Sequence, residues 1–495
     1  MLVSTHTVNA AYPCCQPQSL QSRFRLLQQW PIRDDRMTRS AFASSHWRAE
    51  IGATLRLAGP LALANLLQMA IYAIDVIFVA RLGQRELAAA SLSTTLFGLM
   101  MWAFSGMTGA VAALVSAELG RGRHALREVR RSVRMALWLA MALGLLGMVV
   151  CLNGKAIMLL TGQDPNVAVR AGSFLAILMW SMIPQIICNV LRTFVAALGR
   201  PLFATMITAL GIGINALGNY AFVFGHFGAP AMGLEGSAVS TFCTALLTLA
   251  AYLVAIRSDR RLRRYHVLGH WWRPEWQRLR ELVKIGLPIS AIVVAEGGLF
   301  SSAAFLMGLI GQAQLAGHTI ALQVAAFSFQ VPFGVGQAAT IRVGYHFGAG
   351  DRAAMGRAGW SALGVAILFA AGAAGAMIAF PRAILSAYID TDAPGNAAMV
   401  SFALQYLAIA AAFQLFDGIQ AVATGALRGL QDTFVPMILA LVGYWLFGFA
   451  TAVALGFATS LAGVGVWIGL AIGLMVVAGL ALWRWHRRER LGLVR

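Results

Sequence analysis

Three acidic side chains stand where water is scarce. The chain has 19 Asp and Glu residues, and nearly all fall in loops or at helix ends. The exceptions are Asp75 (IYAIDVIFVARLG), Glu296 (ISAIVVAEGGLFSS) and Asp417 (AAFQLFDGIQAV), each well inside an apolar run. A carboxylate at the centre of a bilayer costs about 2.5–3.5 kcal/mol on insertion scales, so three of them need a reason. An apolar surrounding disfavours the charged form, and such a group can take a proton from one side and release it to the other. Two carboxylates close together can instead hold a hard cation such as Na⁺ through oxygen ligands, which makes Glu296 and Asp417 a candidate cation site. Asn215 and Asn219 (GINALGNYAFVFG) are four apart, so they share one helical face from which they could reach Asp75. Gln414 lies three residues before Asp417, on the same face. Plainer readings stand beside these: an ion pair of Asp75 with Arg81 or Arg85, neutral hydrogen-bonded acids at 296 and 417, and polar glue between helices at the asparagines.

The elements that must hold these residues are membrane helices. Of 495 residues, 59% are hydrophobic and only 12% charged, with a mean hydropathy of +0.72. Soluble domains carry roughly twice that charged fraction. Apolar runs long enough to cross a bilayer fall near 58–81, 90–118, 135–153, 172–198, 203–224 and 235–256, then near 286–311, 318–344, 360–380, 399–426, 434–458 and 460–483. The reading is an all-α polytopic membrane protein: twelve transmembrane helices in two pseudo-twofold-related six-helix bundles. Its parts are a disordered cytoplasmic tail (1–50), an N-lobe (51–257), a cytoplasmic linker (258–284), a C-lobe (285–484) and a cytoplasmic C-terminal tail (485–495). Met37 begins the stretch that leads into the first helix, so residues 1–36 are either tail or an over-long start.

The net charge of +19 is a matter of topology. Of the 38 Lys and Arg residues, 33 fall in the two tails and alternate loops and 5 in the remaining loops. That asymmetry puts both termini in the cytoplasm and argues against nucleic-acid binding, which needs a basic face. The halves repeat at an offset of 228, which carries Pro60 to Pro288, Gly83 to Gly311, Leu87 to Leu315, Gly106 to Gly334, Gly120 to Gly348 and Gly122 to Gly350. With six spans per unit, the repeats are parallel, and a cleft between such bundles is where transporters place substrate. Pro332, flanked by Gly334 and Gly336, predicts a kink in the eighth span.

Other chemistries are not supported. The five cysteines, Cys14, Cys15, Cys151, Cys188 and Cys243, form no CxxC or Cys/His metal pattern. His318 has no acidic partner at useful spacing, and neither HExxH nor a P-loop occurs. An enzyme is therefore not expected, and no cofactor beyond H⁺ or Na⁺ as coupling ion. A flippase for lipid-linked saccharides would want basic residues facing pyrophosphate, whereas the intramembrane charges here are acidic. That reading remains the alternative, and a channel is disfavoured by the repeat.

From residue 50 to residue 483 the chain resembles the multidrug and toxic compound extrusion (MATE) transporters, in their NorM-like branch. The stretches that carry the likeness are IDVIFVARLG, VSAELGRG, NALGNYAFVFGHFGAPAMGLEGSAVST, VAEGGLF, LAGHTIALQ, ATIRVGYHFGAGD and QLFDGIQAVATGALRGLQDT. The resemblance implies a V-shaped pair of bundles in the bacterial inner membrane. It further implies alternating access by a monomer and export of cationic or amphipathic small molecules in exchange for Na⁺ or H⁺. It makes Asp75, Asn215 and Asn219 the N-lobe polar site and Glu296 with Asp417 the C-lobe cation site. One departure stands out: the branch leads one to expect a Tyr four residues before the acid of the tenth span, and this chain has Phe413, which removes a hydroxyl and puts Na⁺ specificity in doubt.

Overall fold

Backbone amides in a bilayer must bond within their own segment, which leaves helices as the spanning form for apolar runs of this length. The computed structural model describes residues 39–122, 124–269 and 272–494, and there is no strand among them. Twelve helices are long and apolar enough to cross a membrane. In the first half these are α1 (His46–Ala80), α2 (Gln84–Arg121), α3 (Ala125–Leu152), α4 (Pro165–Ala197), α5 (Pro201–Phe224) and α6 (Leu234–Ser258). In the second half they are α7 (Trp276–Ile310), α8 (Gln312–Ala349), α9 (Arg352–Ala379), α10 (Pro394–Gly429), α11 (Phe434–Phe457) and α12 (Gly463–His486).

The chain divides into residues 1–48 and a compact unit of residues 49–495. Of the first, the described residues 39–48 are helical. The expected tail, the over-long start, Cys14 and Cys15 lie outside the described residues up to residue 38. Helix begins at Arg39, within the stretch expected to be tail, and α7 begins at Trp276, within the stretch expected to be linker. Apolar runs mark the part of a helix that sits in oil, while backbone hydrogen bonding continues into the polar turns beyond it. At α7 those turns are held by charge: Glu275, just before the helix, pairs with Arg131 and Arg134 of α3, and Arg278 pairs with Glu128 of α3. Pro332 sits inside an unbroken helical run. The breaks lie elsewhere: α2 changes at Ala110, α4 contains a 3₁₀ turn at Met179–Ser181, and α11 contains a π-helical stretch at Val442–Phe449.

The repeated glycines mark where the halves meet. A Cβ on Gly106 of α2 would come within 3.3 Å of Ser290 Cα of α7, and one on Gly334 of α8 within 2.7 Å of Ala62 Cα of α1. Because 62 + 228 = 290 and 106 + 228 = 334, these are one contact seen twice. Likewise a Cβ on Gly120 would run into the Tyr345 carbonyl, and one on Gly348 into the Ala117 carbonyl, and 117 + 228 = 345. The close approach of α2 to α8 therefore has the symmetry of the repeat. Gly122 and Gly350 close these two helices at φ 68° and 75°, a region that favours glycine.

Ion pairs follow the same symmetry with the charges reversed. Glu50 of α1 accepts from Arg342 of α8 through both oxygens (Nη2–Oε1 2.6 Å, Nη2–Oε2 2.6 Å, Nε–Oε1 2.9 Å), and His346 Nε2 lies 3.9 Å from the same carboxylate. Adding 228 carries Glu50 to Arg278 and Glu118 to His346, and Arg278 pairs with Glu118 at 3.4 Å. Glu50 and Arg342 are each 8% exposed. All of these contacts lie at the arginine-rich ends of the helices.

Loss of one member of a buried ion pair costs about 3–5 kcal/mol, because the other is left uncompensated. Glu50→Arg should therefore lower the thermal unfolding midpoint of the detergent-purified protein, and the swap Glu50→Arg/Arg342→Glu should recover most of it. A swap no more stable than the single variant would contradict a direct pair between the halves.

Candidate functional site

The N-lobe site forms where α1, α5 and α6 meet. Asn215 and Asn219, fully buried on one face of α5, donate through Nδ2 to Asp75 Oδ1 at 3.0 and 2.8 Å. Thr241 of α6 donates to Asp75 Oδ2 at 3.4 Å. Asn219 Nδ2 also reaches Asn215 Oδ1 at 3.2 Å, and Ser240 Oγ donates to the Asn215 carbonyl at 3.0 Å. Neither Arg81 nor Arg85 pairs with Asp75 among the described residues; three neutral donors hold it instead. The four-residue spacing of the asparagines foretold the first two donors. Thr241 was not legible, because nothing in the α6 sequence fixes which face meets α1.

The C-lobe site is built differently. Asp417 (4% exposed) on α10 and Glu296 on α7 approach closely enough for their charges to interact. Gln420 and Tyr444 stand beside Glu296, and Arg428 lies within its electrostatic reach. Gln414 is fully buried and donates through Nε2 to the Ala325 carbonyl at 3.0 Å. The remaining oxygens are left over: Gln414 Oε1, Asp417 Oδ1, Gln420 Oε1 and Tyr444 Oη are all buried without a hydrogen-bond partner. Buried polar atoms are rarely left this way; Arg428 Nε, a donor, is also buried without a partner, and the Tyr444 hydroxyl can donate as well as accept. No three His, Cys, Asp or Glu side chains cluster as metal ligands among the described residues. Any cation held between Glu296 and Asp417 would meet only oxygen ligands, a hard donor set.

Phe413 carries no hydroxyl toward the acids. It is 1% exposed and stacks on Trp467 with ring centroids 5.6 Å apart; Tyr406 stacks on Trp467 as well, and His318 meets it edge-on at 5.4 Å. Tyr444, on the π-helical stretch of α11, brings a hydroxyl beside Glu296. Sequence reasoning missed Tyr444, Gln420 and Arg428. Gln420 had a signal, three residues after Asp417 on the same face. Arg192, Arg342 and Arg428 all lie toward the C-terminal, arginine-rich ends of α4, α8 and α10, with Arg428 in the last turn. Arg342 pairs with the Glu50 carboxylate; Arg428 has Glu296 within electrostatic reach while its Nε is buried without a partner; Arg192 donates to Asn189 Oδ1 at 3.1 Å.

The MatE family model matches residues 60–221 and again residues 288–454. The chain belongs to the MatE family. Its two matches start 288 − 60 = 228 residues apart, the offset of the glycine repeat. Among curated relatives of this MatE protein, a "Probable multidrug resistance protein NorM" of Mesorhizobium japonicum is 44% identical over 90% of this chain and 95% of its own length. The "Multidrug resistance protein NorM" of Burkholderia vietnamiensis is 37% identical over 91% and 96%. Among solved structures, the eukaryotic MATE transporter AtDTX14 superposes with a TM-score of 0.80 at 18% identity, over 90% of this chain and 99% of that one. An outward-facing MATE family transporter of the MOP superfamily matches with a TM-score of 0.79 at 18% identity, over 90% and 96%. These place the MatE chain among membrane transporters rather than enzymes.

Replacing Asn219 by Ala removes a buried donor to a carboxylate and should lower stability by about 1–3 kcal/mol. Asn219→Asp should cost more if Asp75 is ionised, since two carboxylates would then face each other. Equal thermal midpoints for the two variants would show instead that Asp75 holds a proton.

Proposed function

We propose that this MatE protein is a cation-coupled antiporter that exports cationic or amphipathic drugs and toxic organic compounds, with H⁺ or Na⁺ as the driving ion. The observation that carries the reading is the carboxylate pair of the C-lobe: Glu296 and Asp417 stand close enough for their charges to interact, and Asp417 Oδ1 is buried without a hydrogen-bond partner. Such a pair is costly when empty of positive charge and is relieved by one bound cation. Arg428 offsets part of the Glu296 charge, so one H⁺ or one Na⁺ suffices to neutralise what remains. One elementary charge moving across 100 mV is worth about 2.3 kcal/mol, which is the work available for uphill export.

The N-lobe site takes a different role. The Asp75 carboxylate, already bonded by Asn215, Asn219 and Thr241, can trade these donors for a proton or for a cationic substrate as the lobe rearranges. The names of the relatives supply the cargo class, multidrug resistance. The cationic preference rests on the acidic character of both sites. Its orientation in the bacterial inner membrane, both termini in the cytoplasm, rests on the 33-to-5 distribution of basic residues. Each chain carries both lobes and both sites, so a monomer is sufficient for the cycle. A flippase would need an uncompensated basic cavity, whereas Arg428 has the Glu296 carboxylate within electrostatic reach.

Alternating access follows from the interlobe contacts. Opening toward the arginine-rich side would separate α2 from α7 and α8 and break Glu50–Arg342 and Glu118–Arg278 together. Closing would re-form them.

In proteoliposomes with a cationic dye as cargo and with H⁺ and Na⁺ gradients imposed separately, one gradient should drive uptake into inverted vesicles. Glu296→Gln and Asp417→Asn should each abolish that uptake while the purified protein keeps its normal yield and elution volume. Full transport by both variants would remove these residues from the coupling role. Dye movement that ignores both gradients would remove the antiporter reading itself.

A further inference from the structure

Helix α12 ends at His486, inside the run WRWHRRER, and the four arginines of that run do different things. Arg484 is paired with Asp432 (Nε–Oδ2 2.6 Å, Nη2–Oδ1 3.1 Å). Arg488 turns inward: it is 8% exposed, donates to the Trp485 carbonyl at 3.0 Å, lies over the Trp485 ring and takes Glu489 as its acidic neighbour at 3.8 Å. Arg487 and Arg490 are exposed and have no acidic partner among the described residues. The Arg487 guanidinium sits over the face of Trp483, 5.3 Å from the ring centroid. With His486, these three side chains line a cleft of about 240 Å³.

The surroundings of the cleft are those of a membrane surface. Helices α9 and α12 both pack on α10. They touch each other where the Trp485 ring meets Gly359 and the Arg488 guanidinium meets Gly356. Trp360 of α9 stands edge-on to His486 with ring centroids 6.2 Å apart. Trp360 and Trp483 are both exposed, and exposed Trp rings belong at the level of lipid headgroups. Seven residues further into α9, on the same face, Ile367 is exposed, and Met475 is exposed on α12. The cleft thus has an aromatic rim, an apolar surface on one side and two uncompensated guanidinium groups. Guanidinium is the side chain best shaped to grip phosphate oxygens in pairs.

We propose that this cleft binds the phosphate of an anionic phospholipid headgroup, with the acyl chains lying along the exposed faces of α9 and α12. Arg487 and Arg490 bind the phosphate, Trp483 holds the Arg487 guanidinium flat, and His486 and Trp360 close the side toward α9. Topology alone does not account for the arrangement. The positive-inside bias asks only for basic residues near a helix end, and Arg484 and Arg488 meet that need while paired elsewhere. A free phosphate ion shares the guanidinium chemistry but has no use for the apolar faces beside it.

The test uses the full chain purified in detergent, with native mass spectrometry and thermal unfolding as readouts. Phosphatidylglycerol should remain bound and raise the midpoint, phosphatidylcholine should do so far less, and inorganic phosphate should do neither. Arg487→Gln/Arg490→Gln should weaken phosphatidylglycerol binding by about tenfold or more, the scale of losing one charge-assisted hydrogen bond. Arg261→Gln/Arg264→Gln removes the same charge from another exposed segment and should bind as the unmodified chain does. Should the first pair yield too little protein, Arg490→Gln alone serves, since its side chain makes no hydrogen bond or ion pair among the described residues. Unchanged phosphatidylglycerol binding in the Arg487/Arg490 variant would overturn the proposal. So would an equal loss in the control pair, or a midpoint shift reproduced by inorganic phosphate.

Discussion

A carboxylate in oil must be given either donors or a cation, and the two lobes of this protein meet that constraint in opposite ways. Around Asp75 the helices bring up Asn215, Asn219 and Thr241, all of which donate. Around Asp417 and Glu296 they bring up Gln414, Gln420 and Tyr444, which leave four oxygens in the lobe without a partner. The first arrangement gives the carboxylate three donors, while Asn219 Oδ1 is itself left without a partner. The second is short of positive charge, and Arg428 supplies only part of it. The homologous bundles, built on the same repeat, thus hold their acids differently: one among neutral donors, the other as a pair with Arg428 within electrostatic reach of Glu296.

The contact between the lobes explains how both sites can survive a large motion. Every partner of Asp75 is on α5 or α6, and the neighbours of Glu296 and Asp417 are on α7, α10 and α11. No hydrogen bond of either site crosses between the halves. What does cross includes, toward mid-helix, the approach of α8 to α1 at Gly334 and the Ser290 hydroxyl donating to the Ala103 carbonyl at 2.8 Å, and, at the arginine-rich end, the approach of α2 to α8 at Gly120 and Gly348 and the ion pairs of Glu50, Glu275 and Arg278. Glycine-to-backbone contacts release cleanly, since no side chain interdigitates. Ion pairs that emerge into water on opening recover hydration in exchange for their partner. The seam is built from interactions that are inexpensive to break, and the sites are built from interactions kept inside each lobe.

Much of this was legible in the sequence, and what was missed was missed for physical reasons. The spans were visible because oil tolerates so few charges. The repeat was visible because backbone approach tolerates only glycine, so that Gly106, Gly120, Gly334 and Gly348 stayed fixed while the surrounding apolar residues drifted. Asp75 with its two asparagines could be read because an i, i+4 pair names a face. The partners contributed by a third helix, Thr241 and Tyr444, could not be read, because periodicity assigns a face to a helix but not a neighbour to that face. Glu50 escaped for another reason. It belongs to a stretch whose composition reads as a tail, and only its burial against Arg342 reveals it as part of the membrane unit.

The Phe413 departure shows how a site can change one member without losing its character. On α10 this ring is committed to the stack on Trp467, so a hydroxyl at this position would have pointed into an aromatic column that also contains Tyr406 and His318. The hydroxyl instead comes from α11, where the chain runs as a π-helix from Val442 to Phe449. A π-helical turn is wider than an α-turn and is kept in proteins mainly where it serves a site. Here it carries Tyr444 to Glu296 while Trp445 packs against Gly298, two residues beyond that acid on α7. Gly298 leaves room for the indole, the indole fixes the turn, and the turn delivers the phenol. The hydroxyl beside Glu296 thus comes from α11, on a stretch of irregular backbone, and not from position 413 of α10.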